Sequence, residues 1–229
     1  YRHLNQEDRQ RFAFVADHGK RRDVDFSESM KILAGRLKLG NTDEMALLVS
    51  AQYTNEEYAA FFDFFVGKLG IKKVYQWREP TEKIADFDGI LLRGDRNANT
   101  AGLLAAMRRH GVGGDKAYNQ HEDVAKSGAK LVIALVPEIP GGFPSLKAHL
   151  IGLAELDFVS FWTVNGLVDG IKGAKHVVPL KGFTEKRGTF TNQQGKEGHL
   201  TTPFNCPVVD ARCVVAAVKS LAEVHAKAH

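Results

Sequence analysis

Apolar residues along this chain change period as the sequence is read from its amino end. Met30, Leu33, Ala34 and Leu37 recur three and four positions apart, which puts them on one face of a helix. Asp25 or Ser27 offers the side-chain cap for its first turn, and Gly40 stops it. Residues 45–50 are short, unbroken and apolar up to Ser50, the pattern of a strand covered on both faces. Thr54 with Glu57 three residues on is a capping-box pair. Behind it Tyr58, Phe61, Phe62, Phe65 and Leu69 lay an apolar stripe that ends at Gly70. Its helical spacing reads as core packing rather than as a cofactor box.

Beyond Gly70 the pattern predicts strands over residues 71–75, 88–92, 130–136, 157–164 and 175–180. Helices are expected over 101–110, over a short piece finishing at 124–127, and over 146–153 and 166–173. Residues 81–87 read as a connector and 111–120 as a glycine-bearing loop. A closing helix over 210–225 carries Val214, Val215, Val218, Leu221 and Ala222 on one face. Strands alternating with helices predict an α/β fold with a mainly parallel, doubly wound sheet and right-handed crossovers. The stretch 182–202 breaks the alternation. It is polar and rich in Thr, Asn and Gln, and reads as a loop or hairpin turned by Gly188 and Gly195.

Composition narrows the function classes. The 229 residues hold 31 Lys and Arg against 27 Asp and Glu, for a formal net charge of +4. The basic groups, such as Arg9–Arg11, Lys20–Arg22 and Lys186–Arg187, lie among acids and read as solvated surface, so no nucleic-acid partner is expected. No apolar run reaches the length of a membrane-spanning helix. Cys206 and Cys213 are the only cysteines and make no cluster or zinc pattern, so they read as reduced, buried thiols. The first residue is Tyr1, and the chain reads as a fragment that begins in mid-protein. Its length suffices to bury about 70% of the unfolded surface without metal or disulfide.

No motif for a nucleophile elbow, a zinc protease, a phosphate loop or a dinucleotide fingerprint is found. His18, His110 and His121 read as surface or cap histidines. Asp86 and Asp88 read as turn acids at a strand edge rather than an acid/base couple.

Three stretches, in order, resemble molybdopterin oxidoreductases. The first is Ala46-Leu-Leu-Val-Ser-Ala-Gln-Tyr-Thr-Asn-Glu-Glu57, continuing to Leu69-Gly-Ile71. The second is Ala85-Asp-Phe-Asp-Gly-Ile-Leu-Leu-Arg-Gly-Asp-Arg-Asn97. The third and most specific is Leu156-Asp-Phe158, then Gly173-Ala-Lys-His-Val-Val-Pro179, then Phe183-Thr-Glu-Lys-Arg-Gly-Thr-Phe-Thr-Asn192 and Gly195. Residues 97–103, Asn-Ala-Asn-Thr-Ala-Gly-Leu, and the start Tyr1-Arg-His-Leu-Asn look most like the large iron–sulfur subunit of NADH-quinone oxidoreductase (respiratory complex I).

The resemblance implies a reduced molybdopterin oxidoreductase-like domain over 24–229, with two possible lobes at about 24–128 and 129–229. Residues 1–23 would be a linker following an iron–sulfur region. In active relatives, loops after the parallel strands hold a bis-molybdopterin guanine dinucleotide. The corresponding cofactor-side positions here are Gly94, Arg96, Asn97, Asn99, Lys186 and Asn192, read as vestigial. Asp95, the missing proline after Asn97, Glu138 and Gln194 depart from the active pattern. Molybdopterin is therefore expected to be absent, and no cofactor, metal or catalytic residue is expected in this segment. The parent subunit would carry 2Fe-2S and 4Fe-4S clusters, with the other subunits of the peripheral arm as partners. Its place would be cytoplasmic in a bacterium, peripheral to the inner membrane and not inserted in it. Two alternatives stay open: a reduced molybdenum or tungsten enzyme subunit, and a stand-alone nucleotide-binding α/β module.

Overall fold

The computed structural model describes residues 8–17, 19–77, 97–113, 121–201 and 204–227. The described chain opens with an antiparallel hairpin. β1 (Ala13–Asp17) pairs with β2 (Lys20–Val24) across a turn in which Gly19 takes φ 76°. These residues, all but Val24, fall within the stretch 1–23 expected from the sequence as a linker, and here 13–17 and 20–24 pair as strands of the main sheet. β2 reads Lys-Arg-Arg-Asp-Val and buries only Val24, so it shows no apolar alternation. Charge of this kind is how an edge strand resists further pairing.

α1 (Phe26–Leu39) follows, capped by the Asp25 carboxylate accepting from the Glu28 N–H. It leads into β3 (Met45–Val49). α2 (Asn55–Phe62) opens on the anticipated capping box and then widens into a π-helical turn over Asp63–Lys68. β4 (Lys73–Gln76), α3 (Thr100–Arg109), α4 (His121–Lys126), β5 (Leu131–Leu135), α5 (Leu146–Ala154), β6 (Phe158–Thr163) and β7 (His176–Pro179) come next. β8 (Gly188–Thr191) and β9 (Glu197–Leu200) form a separate antiparallel hairpin before α6 (Val214–Lys227) closes the fold. The strand expected over 88–92 and the connector over 81–87 lie outside the described residues.

The main sheet has seven strands in the order β2-β1-β7-β6-β5-β3-β4. β4, β3, β5, β6 and β7 are parallel, and β1 joins β7 antiparallel with Phe14 opposite Val177. The period of two in β3 distributes its side chains over both faces. Met45, Leu47 and Val49 pack with α1, α2, α3 and α6, including Leu33, Phe61, Phe65 and Leu221. Ala46 and Leu48 pack on the other side with Leu146, Leu150 and Leu153 of α5 and Val124 of α4. The fold is thus α/β, with a mostly parallel sheet covered by helices on both faces. The sheet also runs through both of the lobes suggested at 24–128 and 129–229, because β3 and β5 are direct neighbours.

Differences from the sequence reading are local. Residues 166–170 make a 3-10 turn instead of a helical segment, capped by Asn165. Val215 of α6 faces solvent, while Val214, Val218 and Leu221 are buried. Cys206 and Cys213 are free thiols, half-buried rather than buried.

Candidate functional site

β3 runs into α2 on one face of the sheet, whereas β5 runs into α5 on the other. Neighbouring parallel strands whose connections part in this way leave a crevice at their carboxyl ends, the usual ligand position in such sheets. Here the two departing loops are stitched together. The Gln52 carboxamide accepts from the Ile139 N–H at 2.8 Å, and the Tyr53 hydroxyl donates to the Val136 carbonyl at 2.6 Å. Tyr58 in turn accepts from the Tyr53 N–H and donates to the Ser50 carbonyl.

A buried ion cluster fills the crevice. Lys186 Nζ lies 2.7 Å from Glu57 Oε2 and also pairs with Glu138 Oε1, with all three side chains about 2% exposed. The ammonium stands 4.7 Å from the centre of the Tyr53 ring. Glu57 has further work. Its Oε2 accepts from the Thr54 N–H, completing the capping box, and its Oε1 accepts from the Val214 N–H that starts α6. One carboxylate therefore fixes two helix origins and one lysine.

Burial pushes the Glu138 carboxyl up to about 7, against the pull of Lys186 and the Phe183 N–H and with the added repulsion of Glu57. Burial disfavours the charged form of Lys186, but Glu138 and Glu57 outweigh it and hold the ammonium above its ordinary range. Burial, then Glu138 and Glu57, drive the Tyr53 phenol well upward. The cluster is charge-balanced when Glu138 holds a proton and carries one surplus negative charge when it does not.

The hairpin β8–β9 lies beside this cluster. Glu56 accepts from both the Thr189 N–H and the Thr189 hydroxyl, at 2.8 and 2.9 Å. The Asn55 amide donates to the hydroxyls of Thr189 and Thr191. Asn99, fully buried at the start of α3, donates to the Tyr53 carbonyl and Asn55 Oδ1 and accepts from the Thr191 N–H. Gly188 permits the approach: its φ is 154°, and a Cβ there would sit 2.7 Å from Glu56 Oε2 and from Thr54 Cβ. Just upstream, Arg9 and Glu185 form a buried two-pronged pair at 2.6 and 2.8 Å. Burial opposes the Glu185 charge, but Arg9 and the Gly182 N–H hold the carboxyl below its usual range.

Two cavities remain around the hairpin. One of about 260 Å³ is lined by Gln52, Ala98, Glu138, Ile139, Phe183, Phe190 and Leu200. The other, of about 290 Å³, is polar, and Ala98 lies on the wall of both, with Asn97, Thr100 and residues 191–194 completing the second. Both fall below the ~300–1,000 Å³ usual for drug-sized ligands.

The sequence-derived positions scatter in role. Asn99 and Lys186 belong to the crevice, as buried structural partners. Asn97 lines the polar cavity. Asn192 turns the hairpin, accepting from the Gln194 and Lys196 N–H groups. Gly94 and Arg96 lie outside the described residues. Arg9 and Lys186, read as solvated surface charges, are instead buried and paired, and Glu138 proves to be the partner of Lys186. His110 is mostly enclosed, stacked on Phe62 and 3.1 Å from Asp63.

A second buried polar chain lies between α1 and the sheet. Trp162 Nε1 donates to Ser160 Oγ, which meets His176 Nδ1 at 2.7 Å, and His176 Nε2 meets Ser29 Oγ at 3.0 Å. Burial, with a contribution from Arg36, lowers His176 to about 4, so the ring is neutral near pH 7. No group of three or more potential metal-ligating side chains occurs among the described residues. None of their helices is long and apolar enough to cross a membrane.

A mainly parallel α/β sheet whose switch-point crevice is held shut by its own ion cluster and hairpin is the class that fold and site define. No family model and no curated protein matches this chain.

Proposed function

We propose that this chain is a structural, molybdopterin oxidoreductase-like domain of the large iron–sulfur subunit of an NADH-quinone oxidoreductase. It braces the peripheral arm while electrons pass from NADH to quinone through clusters held elsewhere in the parent subunit. The family part of this reading rests on the motif resemblance over 156–195. The scaffold part rests on one observation: Lys186, with Glu57 and Glu138, occupies the crevice where active relatives hold a dinucleotide. A carboxylate-lysine cluster of this kind ties loops together and engages the Lys186 ammonium with carboxylates instead of phosphates.

The test is to purify the full-length protein natively from its source and follow NADH:quinone reductase activity. The chain is expected to travel with that activity and to contain molybdenum far below one atom per chain. Migration apart from the NADH-oxidising assembly, or stoichiometric molybdenum with an oxidised-pterin fluorescence signal, contradicts the proposal.

A further inference from the structure

The outer strand of the hairpin presents an edge that the crevice does not use. The Asn192 N–H donates to the Lys196 carbonyl at 2.9 Å, and the same register sets Phe190 opposite Gly198 and Gly188 opposite Leu200. Hydrogen bonding alternates along an antiparallel ladder, so Gly198 and Leu200, like Lys196, turn their backbone groups towards β8. Glu197 and His199 turn theirs away. The far edge of β8 obeys the same alternation: the Thr189 and Thr191 N–H groups point outward, where Glu56 and Asn99 accept them. Among the described residues, no hydrogen bond closes the matching edge of β9 at Glu197 or His199. Residues 197–199 are exposed. Gly198 has no side chain, so its exposure is that of the backbone, and a Cβ there would meet nothing within 4 Å.

We propose that β9 is a self-association edge: two copies of this chain pair β9 with β9, antiparallel about a two-fold axis at Gly198, with Glu197 of each copy facing the partner's His199.

Register and charge select a second copy as the occupant. A two-fold axis at Gly198 opposes residues equally far on either side of it, which are Glu197 and His199. Both have outward backbone groups, so each facing pair exchanges N–H···O=C bonds in both directions. The opposed side chains are an acid and an imidazole, which donates a hydrogen bond when neutral and is positive when protonated. Gly198 meets its own copy in the closely spaced kind of pair and brings no side chain to collide. On the other face, Lys196 lies opposite Leu200, and its methylene stem covers that half-exposed side chain. The edge strand β2 differs. Its Lys20, Arg21 and Arg22 are of one sign, so a copy laid along that run meets like charge. The seating of β8 sets the stoichiometry. Glu56 and Asn99 close its far edge, so the joined sheet ends at β8 on both sides and growth stops at the dimer. Such pairing also gives a two-stranded ribbon the added strands that an isolated hairpin lacks. It draws only on β8 and β9, and holds for the chain outside a respiratory assembly as well.

Sedimentation equilibrium of the full 229-residue chain is the test, with amide exchange at Thr191 reporting whether the hairpin is intact. A strand pair this short falls below the ~1,200–2,000 Å² of a standard interface, so a reversible dimer with a Kd on the order of 0.1 mM is expected. His199→Pro replaces an outward N–H by a ring and spares the bonds to β8. It should abolish the dimer with Thr191 exchange unchanged. His199→Glu opposes like charges on both sides of the axis and should weaken the dimer about tenfold. Adding Glu197→Lys restores opposite charges and should recover the affinity. A chain that stays monomeric to about 1 mM, association that runs past the dimer, a folded His199→Pro variant that dimerises as before, or a charge swap that fails to restore binding overturns the proposal.

Discussion

Lys186 is the residue on which the crevice is built. Truncating it leaves Glu57 and Glu138 buried without their counterion, and an orphaned buried charge typically costs about 3–5 kcal/mol. Lys186→Met should therefore lower stability by that order in urea denaturation. Adding Glu138→Gln should recover part of the loss, because one of the two orphaned charges is then gone. A double variant as unstable as the sum of the singles would contradict the coupling. The sequence offered Lys186 and Glu138 only as separate oddities, one a cofactor-side cation and the other an acid that a phosphate would not tolerate. They are 48 positions apart, and no local periodicity reports a pairing at that distance. Glu57 was legible as a capping residue because Thr54 stands three residues before it. Its contacts with Lys186 and the start of α6 were not. Arg9 was misread for the same reason: it sits in a run of charges, and only the distant Glu185 turns it inward.

At the scale of elements, the helices and inner strands could be read from the sequence, since their apolar periods are strong and burial follows the period. The failures are where charge conceals a strand, as in β2, or where backbone hydrogen bonding changes without a change in side-chain pattern. The π-helical turn over Asp63–Lys68 is of the second kind, because Phe61, Phe62 and Phe65 keep a helical spacing through it. The hairpin β8–β9 was half legible: glycines marked its turns, but the Asn55, Glu56 and Asn99 contacts that seat it lie far away in sequence. Asn99→Ala removes the acceptor of the Thr191 N–H and two donated bonds, a loss of about 1–3 kcal/mol if the freed groups stay buried. Hydrogen exchange should speed up at Thr191 and spare β5 and β6. Uniform acceleration over the whole chain would mean that Asn99 supports global stability rather than the hairpin. Gly188→Ala should also loosen β8, because its Cβ meets Glu56 and Thr54 and its φ of 154° suits only glycine.

For the whole molecule, two buried groups set opposing responses to acid. His176 has a folded pKa of about 4 against an ordinary 6.5, so its contribution is present above 6.5 and lost as pH falls through 4. Glu138 has a folded pKa of about 7 against 4.5, so its contribution is present below 4.5 and lost as pH rises through 7. Between 4.5 and 6.5 the two slopes offset one another, each on the order of 3 kcal/mol across its full window. Glu138→Gln removes one of them. Its stability relative to the parent protein should climb with pH between 4.5 and 7, as read from urea midpoints at a series of pH values. A difference that stays constant with pH would show that Glu138 ionises normally in the fold.

The proposed scaffold role requires that the chain's own ion cluster, with the hairpin beside it, and not a bound nucleotide, fill the space at the carboxyl ends of β3 and β5. Hydrogen exchange at the Thr191 amide, with and without guanosine diphosphate in excess, measures this most directly. Slow exchange comparable with the inner strands is predicted in both conditions, with no protection added by the nucleotide. Fast exchange in the free protein that becomes slow when the nucleotide is added would contradict it.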